Sequence, residues 1–174
     1  RRAPSCRGSG KRDRMGIICL IQDTKMDGTP HVLIVEARFY EDIADELARG
    51  ACEVLDKAGI AYTRLPVPGV FEVPAATLLA LGSAAGRYAG VIALGCVIRG
   101  ETDHYEHICR QASRALMDIS LDPGLPLGFG ILTCETLEQA AVRAAVDKKN
   151  KGANAAQACL RMMEIKNSAA PGSS

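Results

Sequence analysis

Apolar positions follow two alternating rhythms along this chain. His31–Glu36 is a short run rich in Val and Ile, which predicts a buried strand. Ile43, Leu47, Ala51, Val54, Leu55 and Ala58 then recur at helical spacing, and Gly59 follows as a C-cap. Ile60–Leu65 predicts a second strand, closed by Pro66-Val67-Pro68-Gly69. Pro74 suits the first turn of a helix running through Leu81. Gly90–Leu94 predicts a third strand that ends at Gly95. Ile108, Ala112, Ala115, Leu116 and Ile119 mark the next helix, and Asp122-Pro123-Gly124 a turn. Leu127–Leu132 predicts a fourth strand. Thr136-Leu137-Glu138-Gln139 is a capping box that opens a helix. Ala155, Ala156, Cys159, Leu160 and Met163 give the last helix, and a further strand over Gly16–Ile21 fits ahead of all these elements.

Strand and helix thus alternate four times, which predicts an α/β layer fold with a parallel sheet and right-handed crossovers. Ligands of such sheets sit off the carboxyl ends of the strands. The informative loops are therefore those after Glu36, Leu65, Leu94 and Leu132.

Composition narrows the class. The 174 residues correspond to one domain, at roughly 150 residues per domain. Hydrophobic residues at 48% and charged residues at 24% exclude disorder, collagen and coiled coil as the main state. No apolar run approaches the ~18 residues of a membrane span, so neither a membrane segment nor a signal peptide is expected. The net charge of +1 hides an asymmetry: residues 1–14 carry six bases and one acid (+5), and the rest carries 15 bases and 19 acids (−4). A mildly acidic body with 4% aromatics and no Trp argues against a nucleic-acid partner. The division expected is a basic, disordered extension over 1–14, a domain over 15–166 and a flexible tail over 167–174, with Met15 an alternative start. The seven Cys lie at least 13 residues apart and only three His are present, which excludes zinc-finger and thioredoxin spacings. No metal site is expected. Cysteines in apolar contexts, such as Cys19, Cys96 and Cys159, read as buried thiols of a reducing compartment, hence the cytoplasm.

The four loops carry the candidate chemistry. After the first strand comes Ala37-Arg38-Phe39-Tyr40, where Phe39 either caps the core or stacks on a planar ligand. After the second, Pro68 and Pro74 bracket a loop that presents Phe71 and Glu72; the carboxylate either favours a helix N-terminus or grips ligand hydroxyls. After the third, Gly95…Gly100 imitates the start of a phosphate loop, but Glu101 stands where that motif needs Lys. What remains is a Gly loop, the Thr102 hydroxyl and His104 opening a helix. That combination suits an anion and a proton shuttle. After the fourth, Arg143 is placed to bind phosphate, and Lys148-Lys149-Asn150-Lys151 is either a solvated helix end or part of the same site.

Taken in order, Ala37-Arg38-Phe39, Pro68–Pro74, Leu94–Tyr105, Phe129–Thr133, Glu138-Gln139-Ala140 to Arg143, and Asn150-Lys151-Gly152 resemble 6,7-dimethyl-8-ribityllumazine synthase. The resemblance covers about residues 31–165 and includes all four ligand loops. It implies a flavodoxin-like three-layer sandwich with a four-stranded parallel sheet, whose N-terminal strand pairs with a neighbouring subunit. It implies condensation of 5-amino-6-(D-ribitylamino)uracil with 3,4-dihydroxy-2-butanone 4-phosphate, the penultimate step of riboflavin synthesis. No metal or organic cofactor is implied.

By this resemblance Phe39 stacks on the pyrimidine, while Val70, Phe71 and Glu72 hold the ribityl chain and ring edge. Cys96, Val97 and Ile98 contact the pyrimidine, largely through backbone. Glu101 and Thr102 serve the phosphate, which Arg143 pairs with. His104 transfers protons, Phe129 closes the site and Lys151 reaches the heterocycle. Tyr40 and Asp147 depart from the family pattern, which commonly has Asn and Lys there; Lys148 or Lys149 is the substitute for the second. The resemblance also implies a homo-oligomer (a pentamer, decamer or 60-subunit shell) and a functional link to riboflavin synthase. Ala144–Lys149 lacks the Gly-containing turn of shell-formers, which favours a free pentamer. The competing function is a non-catalytic flavin- or lumazine-binding shell protein of the same fold; intact Phe39, His104 and Arg143 argue against it. A flavodoxin-like electron carrier would need a hydroxyl-rich loop where Arg38-Phe39-Tyr40 stands.

Overall fold

A computed structural model describes residues 30–84, 86–122 and 124–169. The expected strand Gly16–Ile21 and extension 1–14 lie outside the described residues. Four parallel strands, β1 (His31–Ala37), β2 (Ala61–Val67), β3 (Gly90–Ile98) and β4 (Leu127–Cys134), form one sheet in the order β2-β1-β3-β4. Five helices cover it: α1 (Glu41–Ala58), α2 (Val73–Ser83), α3 (His104–Leu121), α4 (Leu137–Ala144) and α5 (Lys151–Ala169). A 3-10 turn, Val70–Glu72, leads into α2.

β1 and β3 are buried along most of their length because helices pack on both faces. On one face Leu33, Val35, Val91 and Ala93 meet α2 and α3 through Val73, Leu81, Ala112 and Leu116. On the other, Val32, Ile34, Ile92 and Leu94 meet α1, α4 and α5 through Leu47, Leu55, Ala140 and Cys159. Each such Leu, Ile or Val contributes about 1.5–3 kcal/mol by leaving water. The α/β layers with a parallel sheet expected from the alternation, and the three-layer sandwich implied by the resemblance, are observed.

The local signals hold in detail. Gly59 caps α1 with a left-handed φ of 66°. Pro74 sits in the first turn of α2. Thr136 Oγ1 accepts from Gln139 N at 3.3 Å, while Gln139 Oε1 accepts from Glu135 N at 3.1 Å, one residue before the usual reciprocal donor.

Several boundaries differ from the expectation. β2 continues through Pro66 and Val67; it is an edge strand, where a residue without an N–H is tolerated. β3 does not end at Gly95 but runs to Ile98. A Cβ at Gly95 would lie 2.8 Å from Val70 Cγ2 and 3.0 Å from Ala37 Cβ, so this glycine admits a close neighbour instead of ending the strand. α5 continues to Ala169, past the start of the expected tail at Asn167.

Burial pushes the Cys96 and Cys159 thiols up to about 12, which keeps them protonated at neutral pH. Brief alkylation of the native protein at pH 8 should therefore label the half-buried Cys52 or Cys109 before either. Peptide mapping that found Cys96 or Cys159 modified first would contradict this burial.

Candidate active site

The strand order reverses between β1 and β3, and such a topology places ligands at the carboxyl ends of these strands, here Ala37 and Ile98. The chain has three Phe, and all face solvent: Phe39 is 73% exposed, Phe71 60% and Phe129 47%. Phenylalanine ordinarily fills cores. Three of three exposed in the ligand loops and on β4 therefore point to a surface that is covered in use. Phe39 packs edge-on against Tyr40, with ring centroids 4.9 Å apart at 74°. Tyr40 itself packs on the core beneath α1.

In the β2–α2 connection the 3-10 turn buries Val70 in the core and leaves Phe71 and Glu72 outside. Cys96 is buried and Val97 and Ile98 are half-buried. As the last residues of β3 they hold positions set by ladder bonds to β4.

Glu101, Thr102, Asp103 and His104 form an exposed loop into α3. Asp103 stands at the N-cap without making a side-chain cap; His104 N–H reaches Thr102 Oγ1 only at 3.4 Å. Asp103 instead meets His107 Nε2 at 3.2 Å. The loop's other anchor, invisible in the sequence, is Arg99. Its guanidinium pairs with Glu106, lies 2.9 Å from Glu135 Oε2 and covers the Tyr105 ring at 4.2 Å. The two carboxylates raise the Arg99 pKa further, and Arg99 in turn lowers that of Glu106.

Arg143 lies across the sheet from His104. It stands in the last turn of α4, where a cation is favourable, and its Nη1 donates to Gln139 O at 2.9 Å. Lys151 opens α5, behind Asn150, whose Oδ1 accepts from Ala153 N at 3.1 Å in a left-handed cap with φ of 41°. Phe129, Thr133, Arg143 and Lys151 line one open depression of about 310 Å3 along β4. Phe129 also borders a second depression of about 430 Å3 with Tyr105, Glu106 and Cys109 of α3. One chain thus brings Phe129, Arg143 and Lys151 together. Phe39, Val70, Phe71, Glu72, Cys96, Val97, Ile98, Glu101, Thr102 and His104 line neither of these two depressions. Asp147, Lys148 and Lys149 are exposed in the turn before α5.

Among the described residues, no group of three or more His, Cys, Asp or Glu could hold a metal ion. No helix there is long and apolar enough to cross a membrane.

The family model for 6,7-dimethyl-8-ribityllumazine synthase matches residues 29–167, nearly the whole described chain. The chain belongs to this family. Curated lumazine synthases agree: that of Afipia carboxidovorans is 51% identical over 148 residues, covering 83% of this chain and 91% of the relative. The lumazine synthase of Agrobacterium fabrum is 50% identical over 140 residues, covering 79% and 95%. That of Bartonella bacilliformis is 49% identical over 142 residues, covering 82% and 93%. Membership in the lumazine synthase family makes the chain a transferase of riboflavin biosynthesis.

Proposed function

We propose that this chain condenses 5-amino-6-(D-ribitylamino)uracil with 3,4-dihydroxy-2-butanone 4-phosphate, at a site completed by two copies of itself. The observation that carries the two-copy site is the division of the candidate residues. Phe129, Arg143 and Lys151 share a depression on β4, and the other candidates lie outside it. All three Phe face solvent. A neighbouring copy that brings its Phe39, Phe71 and His104 against Phe129 and Arg143 buries these rings and completes the site. β2 and β4 each have an open edge among the described residues, which a neighbouring copy can cover.

The roles follow the chemistry of each group. Phe39 stacks on the pyrimidine. Val70, Phe71 and Glu72 hold the ribityl chain, and the ends of β3 at Cys96, Val97 and Ile98 offer backbone to the ring edge. Phe129 closes the pocket and Lys151 reaches the heterocycle. Glu101 N–H and the Thr102 hydroxyl face the phosphate, which Arg143 neutralises. The 5-amino group attacks the ketone to give an imine with loss of water; phosphate is then eliminated to leave an enol that becomes a ketone, and the ribitylamino nitrogen attacks that carbonyl, closing the ring with loss of a second water. Each step moves a proton, and His104 is the group placed to carry it, a role worth about 10²–10⁴-fold. The rest is alignment of two reactants.

The assembly we favour is a free pentamer, because the turn of residues 145–150 between α4 and α5 has no Gly. Free thiols at all five described cysteines fit a cytoplasmic enzyme. Its lumazine product calls for a riboflavin synthase downstream. The deciding experiment mixes purified protein with both substrates and follows lumazine absorbance and fluorescence. Product should form without added metal and with chelator present. No product, or full loss with chelator reversed by zinc or magnesium, would contradict this reading. Mass measurement in solution should give five subunits; a monomer would sink the shared site.

A further inference from the structure

We propose that Arg99 is the positioning residue of His104: it holds the first turn of α3 in place and screens two carboxylates from the phosphate. This rests on the proposed roles of His104 and of the loop before it. Arg99 is the first residue beyond β3, and its backbone N–H donates to Cys134 O at 2.9 Å, so its root is tied to the end of β4. Its side chain reaches both ways. It pairs with Glu106 and covers Tyr105, the two residues immediately after His104. It also holds Glu135 of the β4–α4 loop, with Nε 2.9 Å from Oε2 and 3.2 Å from Oε1.

α3 needs such a tether. An 18-residue helix begins at His104 with no side-chain cap from Asp103, and the Thr102 contact is long. The first N–H groups of that turn receive no bond from the N-cap side chain, so the cap does not fix the turn's direction. The planar Arg fork supplies the direction, because two carboxylates and one ring face constrain it from three sides. Exposed ion pairs of this kind add little to global stability, so the cluster's effect is local. It also neutralises Glu106 and Glu135, which would otherwise face an incoming phosphate ester as free charges. Lys at this position would offer one point charge, able to serve one carboxylate at a time.

The test is a double-mutant cycle on the intact oligomer. Arg99→Gln should lower kcat at least about tenfold, the scale of a misplaced catalytic group. KM for the pyrimidine should stay within about twofold, and Arg99→Lys should recover part of the lost kcat. In a His104→Ala background Arg99→Gln should cost no more than about twofold, because the group it positions is gone. Glu135→Gln, a single change outside α3, should lower kcat in the same direction by less, with unchanged oligomer mass; this keeps the test valid if Arg99→Gln folds poorly. The same fold-loss from Arg99→Gln with and without His104, or no kcat loss in Glu135→Gln, would overturn the proposal. A wild-type rate in His104→Ala alone would instead overturn the role of His104, and that variant carries no change at Arg99.

Discussion

Replacing Gly152 with alanine should destabilise the fold by more than any change at the site. A Cβ at Gly152 would lie 1.9 Å from the Leu47 carbonyl oxygen, 2.7 Å from its carbon and 2.9 Å from Leu47 Cα. All three atoms are backbone of α1, so no side-chain rotation relieves the clash. α1 and α5 must separate, and α5 carries Ala155, Ala156, Cys159 and Met163 into the core. The cost lies at or above the upper end of the ~1–3 kcal/mol of overpacking. For a domain of this size that is a fall in Tm of roughly 6–12 °C. Gly82→Ala is the control: nothing lies within 4 Å of its added Cβ and it sits inside α2. It should be neutral or stabilising by about 0.5–1 kcal/mol. A Gly152→Ala protein that melts within a degree or two of wild type would show that the helices do not meet at backbone distance.

Gly152 also shows where reading the sequence stops. Its place in Asn150-Lys151-Gly152 is visible, but the reason for it, a carbonyl 105 positions earlier, is not. Gly95 misleads in the same way. Between an apolar run and a polar loop it looks like a terminator, whereas the strand continues in register with β4 and the glycine is there because Val70 and Ala37 leave no room for a Cβ. Signals contained within a few residues behaved otherwise. Gly59, Pro74 and the Thr136–Gln139 box depend on local backbone geometry alone, and the structure repeats them. The strand–helix alternation gave the layers because each element's apolar face has to be buried against the next.

The site divides along the same line. Residue types that announce chemistry, namely Phe39, Phe71, His104 and Arg143, sit in loops at strand ends or on the helix beyond, where the alternation put them. Arg99 did not announce itself, because one of its partners is seven residues away and the other 36. Glu36 is similar. It is a buried carboxylate on β1, held bidentately by Arg64 of β2 at 3.0 and 2.7 Å, with Arg38 at 3.7 Å. Only strand register brings Arg64 beside Glu36. Arg38, the residue before Phe39, is in turn held by Asp45 at 2.5 Å. Ion pairs across elements carry no periodicity, so no pattern along the chain reveals them.

Mixing two impaired variants should restore activity if two chains share the site. His104→Ala should lower kcat while leaving measurable turnover, since the substrates are still aligned. Arg143→Ala should raise KM for the butanone phosphate and lower its turnover, with pyrimidine binding little changed. A charge-assisted contact of about 1.5–3 kcal/mol is worth roughly 10–150-fold. Within one chain the two residues sit in opposite helix layers of the sheet, His104 on α3 and Arg143 on α4. In a head-to-tail ring each site takes the His104 half from one copy and the Arg143 half from the next. Denaturing the variants together and refolding equal amounts then gives about one site in four with both groups intact, by random order around the ring. The mixture should approach about a quarter of wild-type kcat/KM, far above either parent, and its dependence on mixing ratio should peak at equal amounts. Separately refolded parents combined afterwards, without subunit exchange, should show no gain. If mass measurement shows mixed oligomers and the activity is only the average of the parents, His104 and Arg143 of the same chain serve one site, and the shared geometry is wrong.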